Sequence, residues 1–175
     1  LYADRFITSR PEKRKNAVNI LGATPLDFSV NGCVQSMARR LEKADFTLQS
    51  VFAMSSSIDA IDKAGAAEAN LVISSVGLPA AKYLQAQFGT PYVIGAPFGD
   101  FFSPYVFHAL RESIRTGAPA DVLGTFAPDA PDTAIVGESV TAKSLAAALA
   151  VGYGIGARVI CPVEAPGGVL GACDL

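Results

Sequence analysis

Asn70-Leu71-Val72-Ile73-Ser74, the segment Leu78 to Phe88, the stop Gly89-Thr90-Pro91 and then Tyr92-Val93-Ile94-Gly95 decide the fold. Each short apolar run is too continuous to leave one face in water, so it reads as a strand covered on both sides. The segment between them has the length of a helix. Gly89 suits the left-handed position that closes a helix, and Pro91 prevents its continuation. Strand, helix and strand in this order predict a βαβ unit, whose two strands must run parallel.

The same alternation extends upstream. Val18-Asn19-Ile20-Leu21-Gly22 reads as a buried strand ending at a glycine, followed by the loop Ala23 to Ser29. Val30, Val34, Met37, Ala38 and Leu41 then share one helical face, with Arg39, Arg40, Glu42 and Lys43 near its end. Phe46–Phe52 predicts a second strand. Ser55-Ser56-Ser57 is a helix-start signal, with Ile58, Ile61 and Ala64 as its apolar stripe. Residues 1–15 are basic and polar and read as a lead-in arm.

Downstream, Pro97-Phe98-Gly99-Asp100 leads to a helix that Ser103 opens, with Pro104 in its first turn, running to about Thr116. Gly117 to Asp132 carries Pro119, Pro128 and Pro131 without periodicity and reads as a linker or crossover. The pattern restarts with strand Thr133–Gly137, a helix from Ser139 to about Gly152, and strand Ala157–Val163. Gly167, Gly168 and Gly171 loosen the tail. Strands alternating with helices define an α/β protein with a mostly parallel sheet.

Composition narrows the function. Fourteen basic and sixteen acidic residues leave a net charge of -2, with no basic footprint for nucleic acid. The uncharged run Tyr83 to Gly99 is interrupted by glutamines and prolines, so no membrane span is expected. Leu1 to Lys15 is charged and has no apolar core of a signal peptide. Cys33, Cys161 and Cys173 match no zinc spacing and cannot all pair, which fits a reducing, cytoplasmic setting. The chain opens on leucine and its last strand lies near the end, so a piece of a longer protein is expected.

In an open parallel sheet ligands bind beyond the carboxyl ends of the strands. This places the candidate pocket in the loops 22–29, 53–57, 74–78, 95–101 and 137–143. Ser29, Ser57 and Ser139 suit helix capping there. Gly22 does not begin a GxGxxG, and no GxxxxGK[ST] occurs, which disfavours dinucleotides and P-loop ATP binding. His108, the only histidine, falls mid-helix and reads as structural. Glu138 follows a strand directly, so it serves either as a charge favouring a helix N-terminus or as a carboxylate in the crevice. Asp27 and Asp100 carry the same two readings.

Val18–Gly22 with its helix, Asn70–Ser74 with Gly77-Leu78, Phe88-Gly89-Thr90-Pro91-Tyr92-Val93, Ala96–Gly99, Ile135-Val136-Gly137-Glu138 and Arg158–Cys161 together resemble the nitrogenase component 1 family. The family includes molybdenum-iron protein subunits, cofactor-assembly scaffolds and tetrapyrrole reductases. The resemblance implies Rossmann-like, three-layer α/β/α domains. It places residues 1–117 in one such domain, 118–132 in a linker and 133–175 in a truncated second unit.

The resemblance further implies a subunit that pairs with a homologous subunit. Its electrons would come from an ATP-dependent iron-sulfur reductase partner. An iron-sulfur cluster would sit in the longer protein, with none in this chain, which would be inactive alone. Thr24, Asp27, Ser74, Ser75, Glu138 and Lys143 would line the pocket, with Glu138 or Asp27 as proton donors. Ser74 stands where molybdenum-iron subunits carry a cofactor-anchoring cysteine, and Val76 and Gly77 stand where they carry basic residues. Only Lys143 is basic in the Glu138–Lys143 loop. These departures disfavour dinitrogen reduction and favour a tetrapyrrole or metallocluster reductase. An assembly scaffold of the same family and a non-catalytic metal- or tetrapyrrole-binding module are the alternatives. Exposed apolar surface or dimerisation is expected around 133–163.

Overall fold

The computed structural model describes residues 2–28, 31–124 and 133–162. Five parallel strands form the main sheet: β1 (Ala17–Leu21), β2 (Thr47–Val51), β3 (Ala69–Val72), β4 (Tyr92–Ile94) and β5 (Ala120–Asp121). Their spatial order is β2-β1-β3-β4-β5. All residues of β1 and β3 are buried, as the continuous apolar runs require. The chain is an α/β protein with a Rossmann-like parallel sheet.

Helices α1 (Tyr2–Phe6), α2 (Pro25–Phe28), α3 (Cys33–Lys43), α4 (Ile58–Asp62), α5 (Leu78–Phe88) and α6 (Gly99–Thr116) accompany this sheet. Val34, Met37 and Leu41 are the buried face of α3, as the periodicity predicts. Helix α5 has its expected ends: Gly89 takes φ 65° and its amide closes on the Gln85 carbonyl. Ser29 and Val30, read as a cap and the start of an apolar face, lie outside the described residues. The α3 N-terminus is instead Gly32, and the Asn31 side chain accepts from the Cys33 amide at 3.0 Å.

Polar side chains fix the strand register at the centre of the sheet. Asn19 on β1 lies level with Ser50 on β2 and Asn70 on β3. Its amide nitrogen donates to Asn70 Oδ1 at 2.8 Å and to the Ala64 carbonyl at 3.0 Å, while its oxygen accepts from Ser50 Oγ at 2.6 Å. A one-residue slip would bury these groups without partners.

Several expectations need correction. The stripe Ile58, Ile61 and Ala64 does not hold along one helix, because α4 gives way to a 3-10 turn over Lys63–Ala66. Ile58 is 68% exposed, whereas Ala64 is buried. The tighter turn brings Gly65 against Phe88, where an added Cβ would stand 2.6 Å from the ring. Pro104 is not in the first turn but inside α6, which begins at Gly99. Ser103 Oγ donates to the Gly99 carbonyl at 2.5 Å there. Residues 120–121, read within a linker, add β5 to the edge of the sheet. Within that stretch, residues 125–132 lie outside the described residues, as do Gly167, Gly168, Gly171 and Cys173.

The lead-in is docked. Asp62 accepts from the Thr8 amide and hydroxyl at 2.7 and 2.9 Å and from the Ser9 amide at 3.0 Å. Lys13 donates to the Ala67 carbonyl and to Thr90 Oγ1. Beyond the main sheet, β6 (Thr133–Val136) and β7 (Ala157–Ile160) form a separate parallel pair joined through α7 (Ser139–Tyr153). This pair is much more open than the main sheet, and Val136 is 66% exposed. Among the described residues no helix is long and apolar enough to cross a membrane.

Candidate functional site at the carboxyl edge of the sheet

The strand order reverses direction between β1 and β3, so the loops after these strands flank the natural crevice. They approach very closely. Gly22 has φ 90°, and a Cβ there would stand 2.8 Å from the Ser74 carbonyl oxygen. A Cβ on Gly77 would meet the Leu21 carbonyl carbon at 2.6 Å. Glycine at both positions lets backbone pass backbone. Ser74 is wholly buried at this junction, and its Oγ has no hydrogen-bond partner among the described residues.

Thr24 and Asp27 stand on the β1 side. Thr24 Oγ1 donates to Asp27 Oδ2 at 2.7 Å and accepts from the Asp27 amide at 3.3 Å. The pair closes the first turn of α2 and leaves Asp27 exposed.

Glu138 and α7 cover the β3 side. One Glu138 oxygen accepts from the Ser75 amide at 2.7 Å and the Val140 amide at 3.2 Å, and the other accepts from the Thr141 amide at 2.9 Å. Burial by itself pushes this carboxyl up, but the amides of Ser75, Thr141 and Val140 outweigh it and hold the pKa below the ordinary value. A carboxylate held ionised by these donors is arranged to accept hydrogen bonds, not to release a proton. Both sequence readings therefore meet in one residue: Glu138 caps α7 and also reaches into the crevice.

Thr141 and Ser144 complete this contact, and the sequence reading did not single them out. Thr141 Oγ1 donates to the Ile73 carbonyl at 3.3 Å, and Ser144 Oγ accepts from the Ala96 amide at 2.8 Å. The available signal was a polar residue every third position, 138, 141 and 144, in an otherwise alanine-rich helix. Lys143 lies on the same helix and is half-buried.

The structure thus brings Ser74, Ser75 and Glu138 together and holds Thr24 with Asp27 apart from them. Asp100 is 86% exposed and pairs with Arg40 at 2.7 Å, a surface pair of small energetic weight. His108 lies exposed on α6. Ser57 caps α4 by accepting from the Ala60 amide at 3.2 Å. Ser139 is not the cap of α7, because Glu138 takes that position. A cleft of about 240 Å³ opens between the start of α6 and α7, lined mainly by Phe98, Phe101, Leu145, Leu149 and Tyr153.

No group of three His, Cys, Asp or Glu side chains fit to hold a metal ion occurs among the described residues. Cys33 lies on α3 and Cys161 just after β7, where its Sγ donates to the Gly137 carbonyl at 2.9 Å. Burial pushes the Cys33 thiol up, which disfavours the thiolate that iron needs. These residues do not fit an iron-sulfur cluster.

The fold defines an open parallel α/β domain of the Rossmann-like type. Residues 2–123 match the family model described as nitrogenase component 1 type oxidoreductase, and the chain belongs to that family. Similar proteins include a light-independent protochlorophyllide reductase subunit of Nostoc punctiforme. It is 34% identical over 109 residues, covering 61% of this chain and 22% of that protein. The corresponding subunit from Chloroflexus aggregans is 31% identical over 141 residues, 80% of this chain and 25% of its own length. The one from Pinus thunbergii is 28% identical over 114 residues, 65% and 21%. The chain therefore spans about a quarter or less of these relatives.

Proposed function

We propose that this chain is the second domain and the beginning of the third of a longer reductase subunit acting on a tetrapyrrole of the protochlorophyllide type. The observation that carries the reading is the similarity to protochlorophyllide reductase subunits, which extends over 80% of the chain in the Chloroflexus aggregans relative. The first unit runs through β5 at 120–121, and the unit that contains β6, α7 and β7 is the start of the next. Ser74 supports a tetrapyrrole over a metallocluster, since a serine hydroxyl is a poor iron ligand beside a thiolate.

In this reading the crevice is lined by Thr24, Asp27, Ser74 and Ser75, with Glu138 and Lys143 on its α7 wall. Asp27 is the accessible carboxylate and the better candidate for giving up a proton. Glu138 instead shapes the wall. Electrons come from a separate ATP-dependent iron-sulfur reductase, and a homologous subunit completes the assembly in the reducing cytoplasm. The cluster belongs to other parts of the protein, so this chain alone does not turn over.

The test is purification of the full-length protein with its partner reductase, supplied with ATP, dithionite and protochlorophyllide or related tetrapyrroles. Reduction is followed by the absorbance of the macrocycle. Turnover of one tetrapyrrole is expected. Absence of turnover on all of them, with intact clusters, overturns the reading.

A further inference from the structure

Glu138, Thr141 and Ser144 do not serve α7 alone. Each engages a backbone group just beyond a strand of the other sheet: the Ser75 amide, the Ile73 carbonyl and the Ala96 amide. Ile73 directly follows β3, and Ala96 stands two residues beyond β4. A helix from one βα unit thereby closes the carboxyl edge of the neighbouring sheet. The contact has a particular chemistry. It is made through polar side chains on a helix face whose other buried residues include Val140, Ala142, Ala146 and Ala147, while Tyr153 at the helix end meets Phe101 of α6 edge-on. The α7 side chains that join the main buried cluster are Val140 and Ala147.

Two consequences follow for the energetics. Water can take over every hydrogen bond of this contact when α7 leaves, so departure orphans no buried polar group. Among the described residues, most of β6 and β7 are exposed or half-exposed. Segments with few buried apolar contacts open at lower free energy than the core strands. Strands β1 and β3, buried throughout, belong to the other extreme.

We propose that α7 is a releasable latch. Docked, it shuts the crevice at the carboxyl ends of β3 and β4; released, it opens that crevice while the five-stranded sheet stays folded. The latch is a property of this chain's own helix and does not rest on the tetrapyrrole reading.

Native-state amide hydrogen exchange on the full-length protein tests it, read residue by residue within this chain. The amides of Ser75 and Ala96 are expected to share one protection factor with the core of α7, at least about tenfold below those of Ile20, Leu71 and Val72. The double variant Thr141→Val with Ser144→Ala should lower the first group further and leave the strand amides unchanged. Protection of α7 equal to that of the strands overturns the proposal. So does exchange of Ser75 and Ala96 that fails to follow α7, or a variant that lowers all amides alike. The wild-type comparison decides the matter by itself if the double variant does not fold.

Discussion

Asn19 on β1 and Asn70 on β3 are both fully buried and joined side chain to side chain at 2.8 Å. The bond belongs to a line of polar groups that crosses the sheet from Ser50 through Asn19 and Asn70 to the carbonyls of Thr90 and Pro91. Parallel strands of Val, Ile and Leu could pair in more than one register. A satisfied polar line makes one register much better than its neighbours.

Asn19→Ala should therefore cost more than its volume suggests. It leaves Asn70 Oδ1, the Ala64 carbonyl and the Ser50 hydroxyl without their partner. At about 1–3 kcal/mol for a buried group left unpaired, the expected loss is about 3 kcal/mol. Urea unfolding would show it as a lower midpoint at unchanged slope. A loss under about 0.5 kcal/mol would mean that the polar line does not set the register.

Gly77→Ala and Gly32→Ala separate two uses of glycine. Gly77 has an ordinary φ of -78°, but its added Cβ meets backbone at 2.6 Å that no rotamer change relieves. Gly32 has φ 87° with nothing within 4 Å. Overpacking predicts a loss of about 1–3 kcal/mol or more at Gly77, against about 1 kcal/mol or less at Gly32. Thermal melting of the two variants side by side checks the order.

Asp62 should make the docking of the lead-in sensitive to acid. The Thr8 and Ser9 amides and hydroxyls hold its carboxyl down at about 2, against an ordinary value of 3.8. A depressed pKa gives stability that is present above the ordinary value and lost as the pH falls through the lowered one. The wild type should thus keep a constant advantage over Asp62→Asn at neutral pH and lose it between about pH 4 and pH 2. Trypsin cleavage after Lys13 and Arg14 should be faster in Asp62→Asn at neutral pH. Equal cleavage of the two proteins would show that the lead-in is held by other contacts.

Glu138 follows the same sign. Its pKa lies below the ordinary 4.5, so its contribution is complete above that value and fades as the carboxyl protonates in acid. Glu138→Ala should cost about 1–2 kcal/mol at neutral pH as the loss of a helix cap with a tertiary bond, and Glu138→Gln should cost less. The comparison is made by urea unfolding at pH 7 and again in acid, where the variants should converge on the wild type. A gap that persists unchanged in acid would remove the charge from the explanation.

Element order and the parallel sheet were legible in the amino-acid sequence alone. Apolar runs such as Val72-Ile73 and caps such as Gly89 act through neighbours in the chain, and their periods survive without knowledge of the fold. Glu138 and Ser75 could likewise be located in strand-end loops. Which groups those residues meet depended on the folded chain. Glu138 reaches an amide 63 residues away, and Thr141 and Ser144 gain their meaning from strand ends that no local pattern brings near. The same holds for Pro104 and Ile58, where local signals predicted a helix start and a buried stripe. Backbone approach and long-range packing set those outcomes. Hydrophobic periodicity reports which side of an element is covered. It carries no information about the polar contacts that fit one element to another, and at this carboxyl edge those contacts determine the shape of the crevice.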